Sequence, residues 1–269
     1  MRLNCHSLLL GGLLAVLPAH GHGDVHETIA QISKEIEARP DNAALRLERA
    51  GLLAQYEHFQ EALADLDRVT ALEPANDLPL ALRGSILRRT GTLTEARAIQ
   101  EAFLKKHPRH GQVRFDLCQT LADLKETDAA LRELDTFIAA AENPAPDAVA
   151  MRLRMTEARD ATEALAWLDG FLTKHPLPVF QEEALRIELK LGRTVAAVQR
   201  MDGMIATALR PEILSLRKAE LLASTGDKTG AQSAARAASE AIARLPEHVR
   251  GTAATAALAA KAQQFLSPP

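Results

Sequence analysis

The chain has 269 residues, a net charge of −3 and only 3 % aromatic residues. Nucleic-acid binding needs basic surface to neutralise phosphates and usually aromatic faces for stacking; both are scarce, so that class is set aside. Hydrophobic residues make up 47 %, yet no alternating strand pattern appears, so helices have to build the core.

Residues 1–23 read as a secretory signal peptide. Arg2 is the one charge, Leu8 to Leu17 form an apolar run, and the small residues Ala19, Gly21 and Gly23 follow. The run is about half the length that crosses a membrane, and the competing reading is an uncut N-terminal anchor. Cleavage near Gly21–Gly23 predicts a periplasmic or secreted protein with no stable membrane span. Cys5 then leaves with the peptide. Cys118 remains as a single thiol, so no intramolecular disulfide forms.

His20, His22, Asp24 and His26 crowd the start of the mature chain. Cleavage after Gly23 leaves Asp24-Val25-His26. A free amine, two backbone nitrogens and a histidine at position three form a square-planar site that suits Cu(II) or Ni(II). His22, Asp24 and His26 are the metal candidates, against an adventitious histidine-containing terminus. No other cofactor is expected.

Residues 24–39 form one helix, with Ile29, Ile32 and Ile36 on its apolar face. It reads as a cap over the helices that follow, residues 24–41 in all. Asp41 is the expected N-cap of the next helix.

From Asn42 to Pro246 the chain repeats. Ala62, Ala96, Ala130, Ala164, Ala197 and Ala231 follow one another at steps of 34, 34, 34, 33 and 34. Pro74, Pro108, Pro176, Pro211 and Pro246 close the repeats. A second small position recurs at Ala50, Gly84, Cys118 and Ala219, and a turn glycine at Gly91, Gly192 and Gly226. Thr92 with Glu95, and Asp160 with Glu163, have the spacing of a capping box. The fourth repeat departs from the pattern, with Arg152 at the small position and "RDAT" as its turn. In the fifth, Leu185 takes that position beside Ala184. The segment 142–147, "ENPAPD", holds two prolines that exclude helix there, and it separates repeats one to three from four to six. Residues 247–266 read as one last alanine-rich helix that closes the array. Residues 267–269 are expected to fray.

This periodicity resembles the tetratricopeptide repeat. The resemblance implies an all-α solenoid of about six helix–turn–helix repeats with N- and C-terminal capping helices. It also implies a non-enzymatic scaffold whose first helices line a concave groove for a protein or peptide. In that register the groove candidates are Ser85, Arg88 and Arg89; Phe115, Gln119 and Asp123; Arg186 and Lys190; and Glu220 and Ser224. The family's carboxylate clamp uses asparagines where this chain has Glu48, Leu82 and Asp116, so that clamp is not expected. The four cations point to an acidic partner, against the reading of ordinary solvated charges.

No catalytic residues are expected. "GDKTG" at 226–230 lacks phosphate-loop spacing, and the H-E-x-x-H pattern begun at His26 fails at Ala30. Glu61, Asp65 and Asp67 read as a solvated acidic face. The two "KHP" segments, at 106–108 and 174–176, place cations at helix C-termini, where the helix dipole favours them. The function expected is a protein- or peptide-binding scaffold exported to the cell envelope. The alternatives are a Cu(II)/Ni(II)-handling protein and a self-associating spacer. Oligomeric state and partner identity are not legible.

Overall fold

The computed structural model describes residues 22–267, with side chains from residue 25 onward. Residues 1–21, and with them most of the expected signal peptide, Cys5 and His20, lie outside the described residues, as do the side chains of His22 and Asp24. Fifteen helices and no strand occur among the described residues. The described residues divide after Ala140 into two compact units.

The N-terminal half begins with α1 (His22–Ala38). Three pairs follow: α2 (Ala43–Gln55) with α3 (Phe59–Leu72), α4 (Leu78–Arg89) with α5 (Leu93–Lys106), and α6 (Gly111–Asp123) with α7 (Thr127–Ala139). Ile29 of α1 packs on the cluster of Ala50, Leu53, Ala54, Ala62, Leu66 and Ile86. One apolar helix face thereby closes the open end of the first pair.

The C-terminal half pairs α8 (Pro146–Glu157) with α9 (Ala161–Lys174), α10 (Pro178–Lys190) with α11 (Thr194–Thr207), and α12 (Pro211–Ser224) with α13 (Lys228–Ala243). The closing segment is two helices, α14 (Glu247–Arg250) and α15 (Ala253–Leu266). Gly251 ends the first, and Thr252 restarts the chain by accepting the Thr255 N–H, so the single helix expected over 247–266 is broken. Pro146 does not exclude helix either. It stands at the first position of α8, where a missing N–H costs nothing.

The alanine ladder is the packing seam. Ala62, Ala96, Ala130, Ala164 and Ala197 are fully buried, because only a methyl group fits where the paired helices meet. At the turn between paired helices the backbone enters the left-handed region at Glu57, Gly91, Lys125, Gly192 and Gly226. The 34-residue spacing thus persists in the backbone where glycine is missing. Caps follow the sequence only in part. Asn42, not Asp41, caps α2 by accepting the Leu45 N–H at 3.1 Å, and Asp41 pairs instead with Arg68. Thr92 stands at an N-cap without making the side-chain bond. Asp160 accepts from Thr162 and Glu163 as its spacing predicts.

In the fourth repeat Arg152 is buried with its guanidinium 4.3 Å from the centre of the Trp167 ring. It donates to Thr156 Oγ1 at 2.6 Å. An arginine thus fills the small-residue position by lying flat on an indole. Ala184 and Leu185 are both buried, and Leu185 packs on Ala197 and Met201. Cys118 is buried, and desolvation pushes its thiol up to about 12.

Candidate functional site

Most of the groove candidates are engaged within the protein. Arg88 on α4 reaches Asp123 on α6 at 3.3 Å, so two candidates from adjacent repeats are brought together. Arg89 donates to the Ala54 carbonyl at 2.6 Å and to Glu57 at 3.1 Å, with its guanidinium 4.7 Å from the Phe59 ring centre. It staples α4 to the end of α2. Phe115 stacks on Phe137 at 5.3 Å. Ser85 and Gln119 are part-buried.

Arg186 and Lys190 both grip Glu157, at 2.6 Å and 2.9 Å. Their hydrogen bonds, Arg186 first, hold the Glu157 carboxyl down at about 2 against the cost of its desolvation. Glu220 pairs with Lys261 of α15, and Ser224 donates to the Leu221 carbonyl of its own helix. All four groove cations therefore have carboxylate partners. Of the acidic face expected on α3, Glu61 and Asp67 are exposed and Asp65 is not. Asp65 is buried and ion-paired to Arg46 and Arg49, because those two guanidiniums cover it.

At the metal candidates, His26 lies with its ring 6.2 Å from Tyr56 and 6.5 Å from His58. Among the described residues no group of three His, Cys, Asp or Glu side chains is disposed to hold a metal ion. No helix among them is long and apolar enough to cross a membrane.

An open cleft lies elsewhere. Between α10 and α11 a cleft of about 1230 Å³ is walled by Pro178, Val179, Ala196, Gly203, Met204, Leu209 and Leu214. The sequence of α11 leaves it open. Ala196 and Gly203 stand where bulky side chains would fill the space, and α11 buries only Ala197 and Met201. By contrast α9 buries Ala164, Leu165, Leu168, Phe171 and Leu172.

Leu209 is 97 % exposed and Val179 59 %. Of the six large apolar side chains exposed among the described residues, five lie on α10 to α12 and their joints: Val179, Leu189, Val195, Leu209 and Ile213.

The polar side of the cleft is tied together by one arginine. Arg200 donates from Nε and Nη2 to Glu188 at 2.9 Å and 2.8 Å, from Nη2 to Asp169 at 2.6 Å, and from Nη1 to Gln181 at 2.9 Å. Burial works against this charge, but the bonds to Glu188 and Asp169 outweigh it and raise the guanidinium pKa. The arginine is spent inside the protein.

The described helices match solved structures. Over 90 % of this chain and 93 % of the other, the match is to a tetratricopeptide repeat protein from Parabacteroides merdae ATCC 43184, at 15 % identity and a TM-score of 0.51. This chain has the tetratricopeptide-repeat fold. PilW, described as a widely conserved type IV pilus biogenesis factor, matches over 69 % of this chain and 86 % of that one, at 17 % identity and a TM-score of 0.53. No protein-family model and no curated protein sequence matches the chain.

In tetratricopeptide terms, α10 and α11 are the two helices of the fifth repeat. The cleft therefore opens mainly within a repeat, lined by its second helix as well as its first, with Leu214 of α12 added from the next. None of its residues was among the sequence-derived candidates. The available signal was a glycine inside a second helix, Gly203, and an apolar residue in a joint, Leu209.

Proposed function

We propose that this protein is a non-enzymatic scaffold that binds an apolar segment of another protein in the α10–α11 cleft. The observation that carries the reading is the concentration of exposed apolar side chains on α10 to α12, two of which, Val179 and Leu209, line the open cleft. Large exposed apolar patches mark interaction sites, since leaving them in water has no structural return. The tetratricopeptide fold supports the reading. Export to the cell envelope through residues 1–23 belongs to the same proposal and rests on their charge and apolar pattern.

The test is affinity capture with the mature chain, Val179→Asp/Leu209→Asp and Arg88→Glu as parallel baits. A partner held by wild type and Arg88→Glu but lost by the double variant supports the cleft. A partner lost by Arg88→Glu and kept by the double variant moves binding to the first-helix surface and overturns the assignment. Export is tested by sequencing the N-terminus of the protein from its host. A start at His22 or Asp24 supports it; an intact Met1 on protein recovered from the membrane fraction gives the uncut anchor instead, and an intact Met1 on protein recovered from the cytoplasm refutes export.

A further inference from the structure

Two imidazoles three residues apart flank one phenyl ring at the joint between α5 and α6. His107, the C-cap of α5, lies with its ring 4.5 Å from that of Phe103, and its Nε2 is 3.0 Å from Asp77 Oδ2. His110, the N-cap of α6, stands edge-on to the same ring at 5.1 Å. Its Nδ1 accepts the Val113 N–H at 3.3 Å.

A proton acts differently on the two contacts. Accepting a hydrogen bond at Nδ1 requires a neutral imidazole, because both nitrogens of the imidazolium are donors. At His107 a proton turns the contact with Asp77 into an ion pair. Lys106 first, then His107, hold the Asp77 carboxyl below its usual range, so the partner is ionised when His107 charges.

We propose that this joint is a pH-sensitive latch. At neutral pH His110 caps α6. On acidification His110 releases the first turn of α6 while His107 tightens on Asp77, and α6 loosens at the end nearest α5. Of the other charged groups around the joint, Lys106 is bonded to Asp77 at 2.9 Å. Arg114 is paired with Glu133 of α7 and donates to the Pro108 carbonyl. Asp116 faces His110, but burial raises its pKa and it accepts from Gln112 at 3.0 Å. Lys105 and Arg109 are exposed. The latch would act on α6, which carries Phe115, Gln119 and Asp123. It lies in the opposite half of the chain from the cleft and does not depend on it.

The test is hydrogen exchange of the Val113 amide in the full mature chain at about pH 8 and about pH 5, which bracket imidazole titration. In wild type the protection factor, corrected for intrinsic exchange, is expected to fall about fivefold at the lower pH, the scale of one lost helix cap. In His110→Asn it is expected to stay flat, because asparagine caps at both pH values. In His107→Gln the fall is expected to persist. A flat wild type, an equal fall in His110→Asn, or loss of the fall in His107→Gln would overturn the proposal. Nitrogen spectra of the wild-type imidazoles give a check independent of any variant. A protonated Nδ1 on His110 at about pH 8 refutes the latch.

Discussion

Asp65 of α3 and Arg49 of α2 form a two-pronged ion pair, Nε to Oδ2 at 2.7 Å and Nη2 to Oδ1 at 2.8 Å. Arg46 adds a third contact at 3.1 Å, and Asp65 is 2 % exposed. Removing one partner of a buried pair strands the other charge. Asp65→Ala is therefore expected to destabilise the N-terminal half by about 3 kcal/mol. Thermal unfolding checks this. A change as small as an exposed pair gives would show that Arg46 and Arg49 find water instead.

The close approach of Gly84 to Gln100 gives a second prediction. A methyl group on Gly84 would lie 2.9 Å from Gln100 Cγ, and the buried Gln100 amide has no hydrogen-bond partner. Gly84→Ala is expected to cost about 1–3 kcal/mol through overpacking. Combined with Gln100→Ala the costs are expected to fall short of additive, because the second change removes the obstruction. A double-mutant cycle in urea measures it.

Glu57 and Lys125 occupy positive-φ turns, at 68° and 65°, where the second, fifth and sixth repeats use glycine. An L side chain is strained there. Lys125→Gly is expected to be neutral or stabilising by up to about 1 kcal/mol, while Gly91→Ala destabilises by about the same amount. Comparing the two melting temperatures decides it.

Glu157 contributes to the acid response of the C-terminal half. Its folded pKa, about 2, lies below that of an unfolded glutamate, so the unfolded state binds the proton more readily. The sign follows: its contribution is present above about pH 4.5 and is lost as pH falls towards 2. Glu157→Gln is expected to flatten this part of the stability profile, read as melting temperature against pH. Because Arg186 and Lys190 are each about half exposed, added salt is expected to reduce the difference.

Cys118 is expected to resist alkylation in the native protein. Its thiol is pushed up to about 12, chiefly by burial, and the thiolate is the reacting form. Labelling at about pH 8 is expected only after unfolding. Prompt labelling of the folded chain would show that the third repeat opens readily.

The sequence alone determined the helical class, the repeat period, the buried alanine at each pairing and the buried thiol at Cys118. These depend on spacing and side-chain size, and a residue that must fit between two helices leaves its mark every 34 positions. It also marked the break at 142–147, which falls beside the division of the chain after Ala140.

The tertiary structure decided where the charges go and where the surface stays open. Asp65 looks like a solvated acid in its own helix and is buried only because Arg46 and Arg49 arrive from the preceding one. Arg89 and Arg186 look free in sequence and are held by Glu57 and Glu157, 32 and 29 residues away. The cleft is likewise a property of packing: Ala196 and Gly203 are ordinary small residues until α10 stands opposite and leaves the space between them unfilled. A repeat pattern records what must be small or apolar for helices to meet. It does not record which long polar side chains reach each other across the turns, because many spacings let them do so.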